Sequence, residues 1–348
     1  MAAYWALFAF FAAGAIIAGS FTGENVRRPG AIFAIGAVAM TLMIGLRYNV
    51  GGDWQTYEFM YYRAGPLAFA DALSIGDPAY QAVNWVAYNF DGDVWLVNSI
   101  CAIFFVWGLF RLCRTQPYPW LALLVAVPYA VIVIAMGYTR QAVALGLIMA
   151  GIADFLRGGS VLRFGIYVAA AALFHKTAIV AFPVVALATE RNRLVNMLIV
   201  LAGGILLYDL FLGDAMDNFV ENYIRAAYSA QGAAIRIGMN MLAAAVLWLG
   251  RRKLELARVE WKVWRNFSLA SVASLVFLVM SPSSAAVDRI SLYIIPLQMA
   301  VLGRVPLIFK SRLFGTVLVA SYCFAVEFVW LNFAQFSDAW VPYQLFAI

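Results

Sequence analysis

The sequence predicts an all-α polytopic membrane protein: a bundle of about twelve transmembrane or partly spanning helices, with outer-face loops and interfacial helices, in a single integral membrane domain over 1–348. Three observations predict it. Of the 348 residues, 65% are hydrophobic and only 12% are charged, and the mean hydropathy is +0.84. Soluble domains are about half apolar and about a quarter charged. Apolar runs recur along the whole chain at lengths near the roughly 20 residues that cross a bilayer. Basic residues gather between alternate runs, as cytoplasmic loops require. The composition excludes disulfide scaffolds, collagen-like chains and disordered tails. Cys101, Cys113 and Cys323 show neither zinc spacing nor a disulfide framework. No Walker loop or GxGxxG opens a helix, so no nucleotide cofactor is expected.

Taken in order, the apolar runs fall near 4–21, 31–46, 94–110, 120–137, 141–153, 164–174, 177–188, 194–212, 237–249, 266–281, 290–303 and 313–331. The first has no basic stretch before it and reads as a retained span rather than a cleaved leader. The sixth and seventh are split by His175-Lys176; fusing them into one span would spoil the charge partition that the other loops obey. With the N-terminus outside, the outward basic residues are Arg47, Arg63, Arg140, Lys176, Arg225, Arg236 and Arg289. The other 17 of the 24 fall inside, among them Arg27, Arg28, Arg191 and Arg193. The net charge of +6 is therefore a topology signal, and no nucleic-acid partner is expected. The basic run Arg251 to Arg265 reads as a cytoplasmic anchor or as a contact for anionic lipid.

Two outer segments are long enough to fold, near 47–93 and 213–236. In the first, Gly76-Asp77-Pro78 reads as the cap and first turn of a helix over 79–90 lying along the membrane surface. Its Tyr80, Trp85 and Tyr88 suit an interfacial aromatic belt or sugar stacking. No internal repeat supports an inverted-repeat transporter.

Charge interrupts the apolar pattern at one bilayer face in four places: Arg47 ahead of Gly51-Gly52-Asp53, Arg140, His175-Lys176, and Asp288-Arg289. Ionisable groups at membrane depth usually face a bundle interior, so the four read together as a lined cavity. A cationic cavity suits an anionic substrate, above all a phosphate or diphosphate, whose oxygens the guanidinium fork matches. The alternative is local pairing, Arg289 with Asp288 and Arg47 with Asp53, while Arg140 reaches for headgroups. His175, the one histidine, is either a satisfied hydrogen-bonding residue or a general base; Lys176 beside it favours the neutral imidazole that a base requires. One histidine among scattered carboxylates does not make a metal site. Asp91-Gly92-Asp93 mimics a DxD signature but lies where nucleotide sugars are absent, so it reads as a solvated loop or helix cap. Glu327 is a second buried-carboxylate candidate with no nameable partner.

These stretches resemble a known family. Leu46-Arg47-Tyr-Asn-Val-Gly-Gly-Asp53-Trp-Gln-Thr-Tyr57 is similar to the N-terminal signature of the EpsG family of Wzy-like polysaccharide polymerases. So are Tyr138-Thr-Arg140-Gln141-Ala142, Phe174-His175-Lys176-Thr177, Asp288-Arg289-Ile-Ser-Leu-Tyr293 and Trp340-Val-Pro342-Tyr343, in the family's order across nearly the whole chain. One departure is the doubled Gly51-Gly52 where the family has one glycine before the Asp.

The resemblance implies a glycosyltransferase that joins undecaprenyl-diphosphate-linked oligosaccharide repeat units at the outer face of the bacterial inner membrane, without metal or other cofactor. It implies that Arg140 and Arg289 bind the diphosphate, assisted by Arg47 and Lys176. His175, ahead of Asp53, takes the acceptor proton, and Tyr57, Tyr138, Tyr293, Trp340 and Tyr343 position sugars beside Asp288. The implied partners are the lipid-linked oligosaccharide, the lipid bilayer, and chain-length regulator or export proteins. Competing expectations are an O-antigen-ligase-like transferase, a lipid-linked oligosaccharide flippase or transporter, and a non-catalytic scaffold of an export complex.

Overall fold

The computed structural model describes residues 1–20, 30–189, 193–211, 232–281 and 283–346. Arg27, Arg28, Arg191, Arg225 and most of the second outer segment lie outside the described residues. Among the described residues there is no strand, and the helices run in the order α1 (Ala2–Ser20), α2 (Ala31–Gly45), α3 (Trp54–Ala64), α4 (Phe69–Ser74), α5 (Pro78–Asn89), α6 (Val94–Cys113), α7 (Pro119–Ala135) and α8 (Thr139–Leu156). They continue through α9 (Val161–Ala172), α10 (Lys176–Ala186), α11 (Arg193–Phe211), α12 (Ala233–Gly250), α13 (Arg258–Met280), α14 (Ser284–Ile294), α15 (Pro296–Ile308) and α16 (Arg312–Phe333).

Six of these are long and apolar enough to cross a membrane: α1, α6, α8, α12, α13 and α16. The α14–α15 pair, bent by 45°, makes a seventh if it is one broken span. The expected count of about twelve transmembrane or partly spanning helices is not confirmed by this measure, since α2, α7, α9, α10 and the apolar part of α11 are only 10–17 residues long. At 1.5 Å per residue a 12-residue helix covers about 18 Å, well short of the roughly 30 Å hydrocarbon layer. The split at His175 is present: α9 and α10 are separate helices.

Burial sorts the helices. In α8 83% of the spanning window is buried inside the protein, against 28% in α16. The peripheral helices expose large apolar side chains instead, such as Val38, Leu249 and Val279, as lipid-facing surfaces do. α8 can sit at the centre because it packs closely on α6: a Cβ added at Gly108 would overlap the Gly146 backbone. Small residues at such crossings let membrane helices pack backbone to backbone. The C-terminal half of α7, Val127–Ala135, is a π-helix opening at Pro128. Proline cannot donate to the helical ladder, and wide π turns recur beside functional sites.

The segment near 47–93, expected on the outer face, folds as α3, α4 and α5. Asp77 sits at the N-cap of α5 and Pro78 in its first turn, as the sequence predicts, but the Asp77 side chain makes no capping bond. Tyr80 is buried against Tyr57 rather than lying in an interfacial belt, with ring centroids 5.6 Å apart. Asp93 caps α6, accepting from the Val94 amide at 2.6 Å, which is the cap reading of Asp91-Gly92-Asp93.

Candidate active site

The turn after α2 is built on a left-handed glycine. Gly51 has φ +110°, and a side chain there would run into the Met136 carbonyl, so the chain can turn beneath α7 only with glycine. Its amide donates to the Ala339 carbonyl at 2.8 Å. The residues after α16 therefore lie across this turn. Trp340 Nε1 donates to the Ile132 carbonyl of the π-helix at 2.7 Å, and the Trp340 carbonyl accepts from Tyr4 at 2.7 Å.

Arg47 is placed as a strut. Its side chain is wholly buried, and its guanidinium donates to the Ile44 carbonyl (2.5 Å), the Val50 carbonyl (3.2 Å), Asn98 Oδ1 (3.0 Å) and Thr139 Oγ1 (2.8 Å). It pairs with neither Asp53 nor the cavity. Tyr343, donating to the Met43 carbonyl at 2.8 Å, likewise ties the segment after α16 to α2.

Behind the cavity lies a second group. Arg140, at the start of α8, donates through Nη1 to Asp77 Oδ2 at 2.7 Å and lies against the buried Tyr57. Burial raises the Asp77 carboxyl above its ordinary range; Arg140 opposes this first, and Lys176 acts from farther away. His175 Nδ1 sits 2.6 Å from Thr177 Oγ1 and 3.2 Å from the Tyr293 hydroxyl. Burial, with Arg140 and Arg289 nearby, depresses its imidazole from 6.5 to about 3. The neutral form is as expected, but burial and the two arginines hold it there, and Lys176 is not among the causes. A base this weak gains little from accepting a proton near pH 7.

In front is a cavity of about 900 Å³ with two kinds of wall. Asp53, Tyr138, Arg236 and Arg289 line one end. The remainder is mostly apolar, formed chiefly by Ile235, Met239 and Leu242 of α12 and by Val326, Val329, Trp330 and Phe333 of α16, with Tyr129, Tyr322 and Gln335 also on the lining. The Arg289 guanidinium lies 5.8 Å from the centre of the Tyr138 ring. Asp288 does not pair with its neighbour Arg289; it accepts a two-pronged grip from Arg236, Nε to Oδ1 at 2.5 Å and Nη2 to Oδ2 at 2.6 Å. Gln141 Nε2 donates to the Arg289 carbonyl at 2.6 Å, which joins the α8 start to α14. Burial pushes the Asp53 carboxyl above its ordinary value, and Arg289 and then Arg140 draw it back down.

Five stretches separated by up to hundreds of residues thus converge at one end of the bundle. The sequence profile of the EpsG family matches residues 31–345. The chain belongs to the EpsG family. Membership makes it a polymerase-like membrane protein of polysaccharide biosynthesis. Comparisons with curated proteins and with solved structures find no match.

Within this EpsG-family protein the predicted residues divide. Asp53, Tyr138, Arg289 and Trp340 are on the cavity wall; Arg140, Tyr57, His175, Lys176 and Tyr293 form the group behind it; Asp288 anchors Arg236. Sequence reasoning missed Asp77 and Arg236. Asp77 resembled an ordinary helix cap, whereas Arg236 carried a usable signal: it is an outward basic residue that the positive-inside bias does not account for. Glu327 is buried on α16, and neither of its oxygens has a hydrogen-bond partner.

Proposed function

We propose that this EpsG-family protein polymerises undecaprenyl-diphosphate-linked oligosaccharide repeat units at the outer face of the bacterial inner membrane. The observation that carries the reading is the two-part cavity, with cations and a carboxylate in one part and a mostly apolar lining from α12 and α16 in the other. A lipid-linked diphosphate sugar has the same two parts. Its polyprenyl chain follows the groove, and its diphosphate meets Arg289, with Arg236 alongside.

A hydroxyl at the non-reducing end of the acceptor unit attacks the anomeric carbon of the donor chain. The new C–O bond forms as the bond to the diphosphate breaks, and the diphosphate leaves with the electron pair. The hydroxyl proton passes to the Asp53 carboxylate, which stands at the cavity and is made more basic by burial. His175 is the weaker candidate for that task, being more acidic and held by Thr177 and Tyr293. Negative charge grows on the departing diphosphate, so a fixed guanidinium contributes most in the transition state. Arg140 and Lys176 add positive potential from behind. Tyr138 and Trp340 give sugar-stacking faces, while Tyr57 and Tyr293 hold the supporting layer. Chain-length regulator or export proteins are the partners this activity calls for.

The test is incubation of the purified protein, reconstituted in lipid, with its lipid-linked repeat unit alone, followed by sizing of the products. A ladder of repeat lengths is expected. A single transfer to another acceptor would make the protein ligase-like; transbilayer movement of an unchanged substrate would make it a transporter.

A further inference from the structure

A second amphipathic groove lies at the other end of the bundle. α8 carries Arg140 at its start and Arg157 just past its end, which at 1.5 Å per residue separates the two by about 25 Å, close to a bilayer's hydrocarbon thickness. Beside Arg157 are Arg111 at the end of α6 and Arg114 just beyond it. Together these three line the basic end of a groove of about 570 Å³ between α2 and α6.

The rest of the groove is a pair of helical stripes. α2 contributes Ala34, Val38 and Leu42, each four residues apart, and α6 contributes Ile103, Trp107 and Phe110. Residues at such spacing share a helix face, so the groove follows both helix axes for about two turns. Val38 is 59% exposed and Ile103 57% exposed, so this apolar face has no protein cover among the described residues. At the basic end the Arg111 guanidinium lies 5.4 Å from the Trp107 ring centre, and that of Arg114 5.4 Å from Phe33. Arg111 reaches Asp154 only at 4.0 Å, and that carboxylate is nearer to Arg163 at 3.4 Å. The Arg111 Nε is buried and has no hydrogen-bond partner. One carboxylate shared by two arginines leaves the mouth of the groove cationic.

We propose that this groove binds an anionic glycerophospholipid, its phosphate held by Arg111, Arg114 and Arg157 and one acyl chain lying between α2 and α6. The complementarity is specific in both parts. A neutral lipid supplies no anion to this basic end, where Arg111 has only a carboxylate shared with Arg163, and a free anion leaves the apolar stripe uncovered. The bound lipid acts as a fixed wedge between two helices whose outer ends support Arg47.

Native mass spectrometry of the full chain, released from detergent with phosphatidylglycerol or phosphatidylcholine added, tests this. Phosphatidylglycerol is expected to be retained in preference to phosphatidylcholine. R111Q/R114Q/R157Q should weaken its retention roughly a hundredfold, about 3 kcal/mol at about 1.4 kcal/mol per factor of ten. Val38→Trp, which fills the groove and leaves all three arginines in place, should also expel it. Both variants are compared with wild type at an unchanged thermal unfolding midpoint; where the triple variant loses that midpoint, Val38→Trp alone decides. Equal retention of both lipids, phosphatidylglycerol retained by the folded variants, complete displacement by inorganic phosphate, or occupancy by a polyprenyl phosphate alone would each overturn the proposal.

Discussion

On the α3–α5–α8 side of the site end, Arg140 is held by Asp77 at 2.7 Å and backed by Tyr57, while His175 is enclosed with Thr177 and Tyr293. On the α12–α14–α16 side, Arg236 grips Asp288 with two nitrogens, yet it and Arg289 also line a cavity of about 900 Å³. Both sides carry arginine and carboxylate. They differ in what the charges face. Behind, protein groups absorb the charge and hold the helices in register; in front, the charge is fixed from the rear and presented to a space large enough for a substrate. A guanidinium fixed by protein does not have to reorganise as negative charge develops, and that is the condition for electrostatic catalysis.

The sharpest way to break this division is at Asp53. Asp53→Asn removes the cavity's carboxylate and should lower turnover by roughly 10²–10⁴-fold, the range of a lost general base, with lipid-linked substrate still bound. In the wild type, product formation should fall as pH drops through the raised Asp53 value, because the protonated acid cannot accept the hydroxyl proton. His175, depressed to about 3, stays neutral down to that range and contributes no such limb. A pH–rate profile with its acid limb near 6.5, abolished in a His175→Gln protein that remains active, would reverse the two roles.

Next in size is Arg289→Ala, expected to lower turnover by roughly 10²–10³-fold, as loss of a transition-state donor does; steady-state assay of chain growth reads it. Asp77→Asn probes the rear side. It should cost about 3 kcal/mol of stability by leaving Arg140 without its counter-charge, seen as a lower thermal unfolding midpoint in detergent. Smallest is Tyr343→Phe, which removes one hydrogen bond to the Met43 carbonyl and should cost about 1 kcal/mol or less, with chain growth nearly unchanged. Equal kinetic losses at Asp77 and Arg289 would erase the distinction between the two sides.

Charged residues that interrupt apolar runs were readable in the sequence because a bilayer tolerates them only where protein or water receives them. That rule reached Arg140, His175 and Arg289. It could not say which charges face each other. Asp288 sits next to Arg289 in the chain, but on a helix adjacent residues point in different directions, and Asp288 takes its partner from α12. Asp77 was hidden because an Asp before a Pro satisfies the pattern of a helix cap, whereas its carboxylate is committed to Arg140. That Asn98 and Thr139 take up Arg47 donors is likewise not legible in the sequence, because both lie far from it along the chain. Hydropathy likewise registers that α9 and α10 are apolar, not that each is shorter than a full span, so it does not separate full spans from partial ones.

Trp330 and Phe333 of α16 line the cavity, and the segment following that helix is laid over Gly51 and the π-helix. The enclosed space therefore depends on α16 and the residues after it, and a chain cut before Arg312 should keep Asp53 and Arg289 but lose the cavity between them.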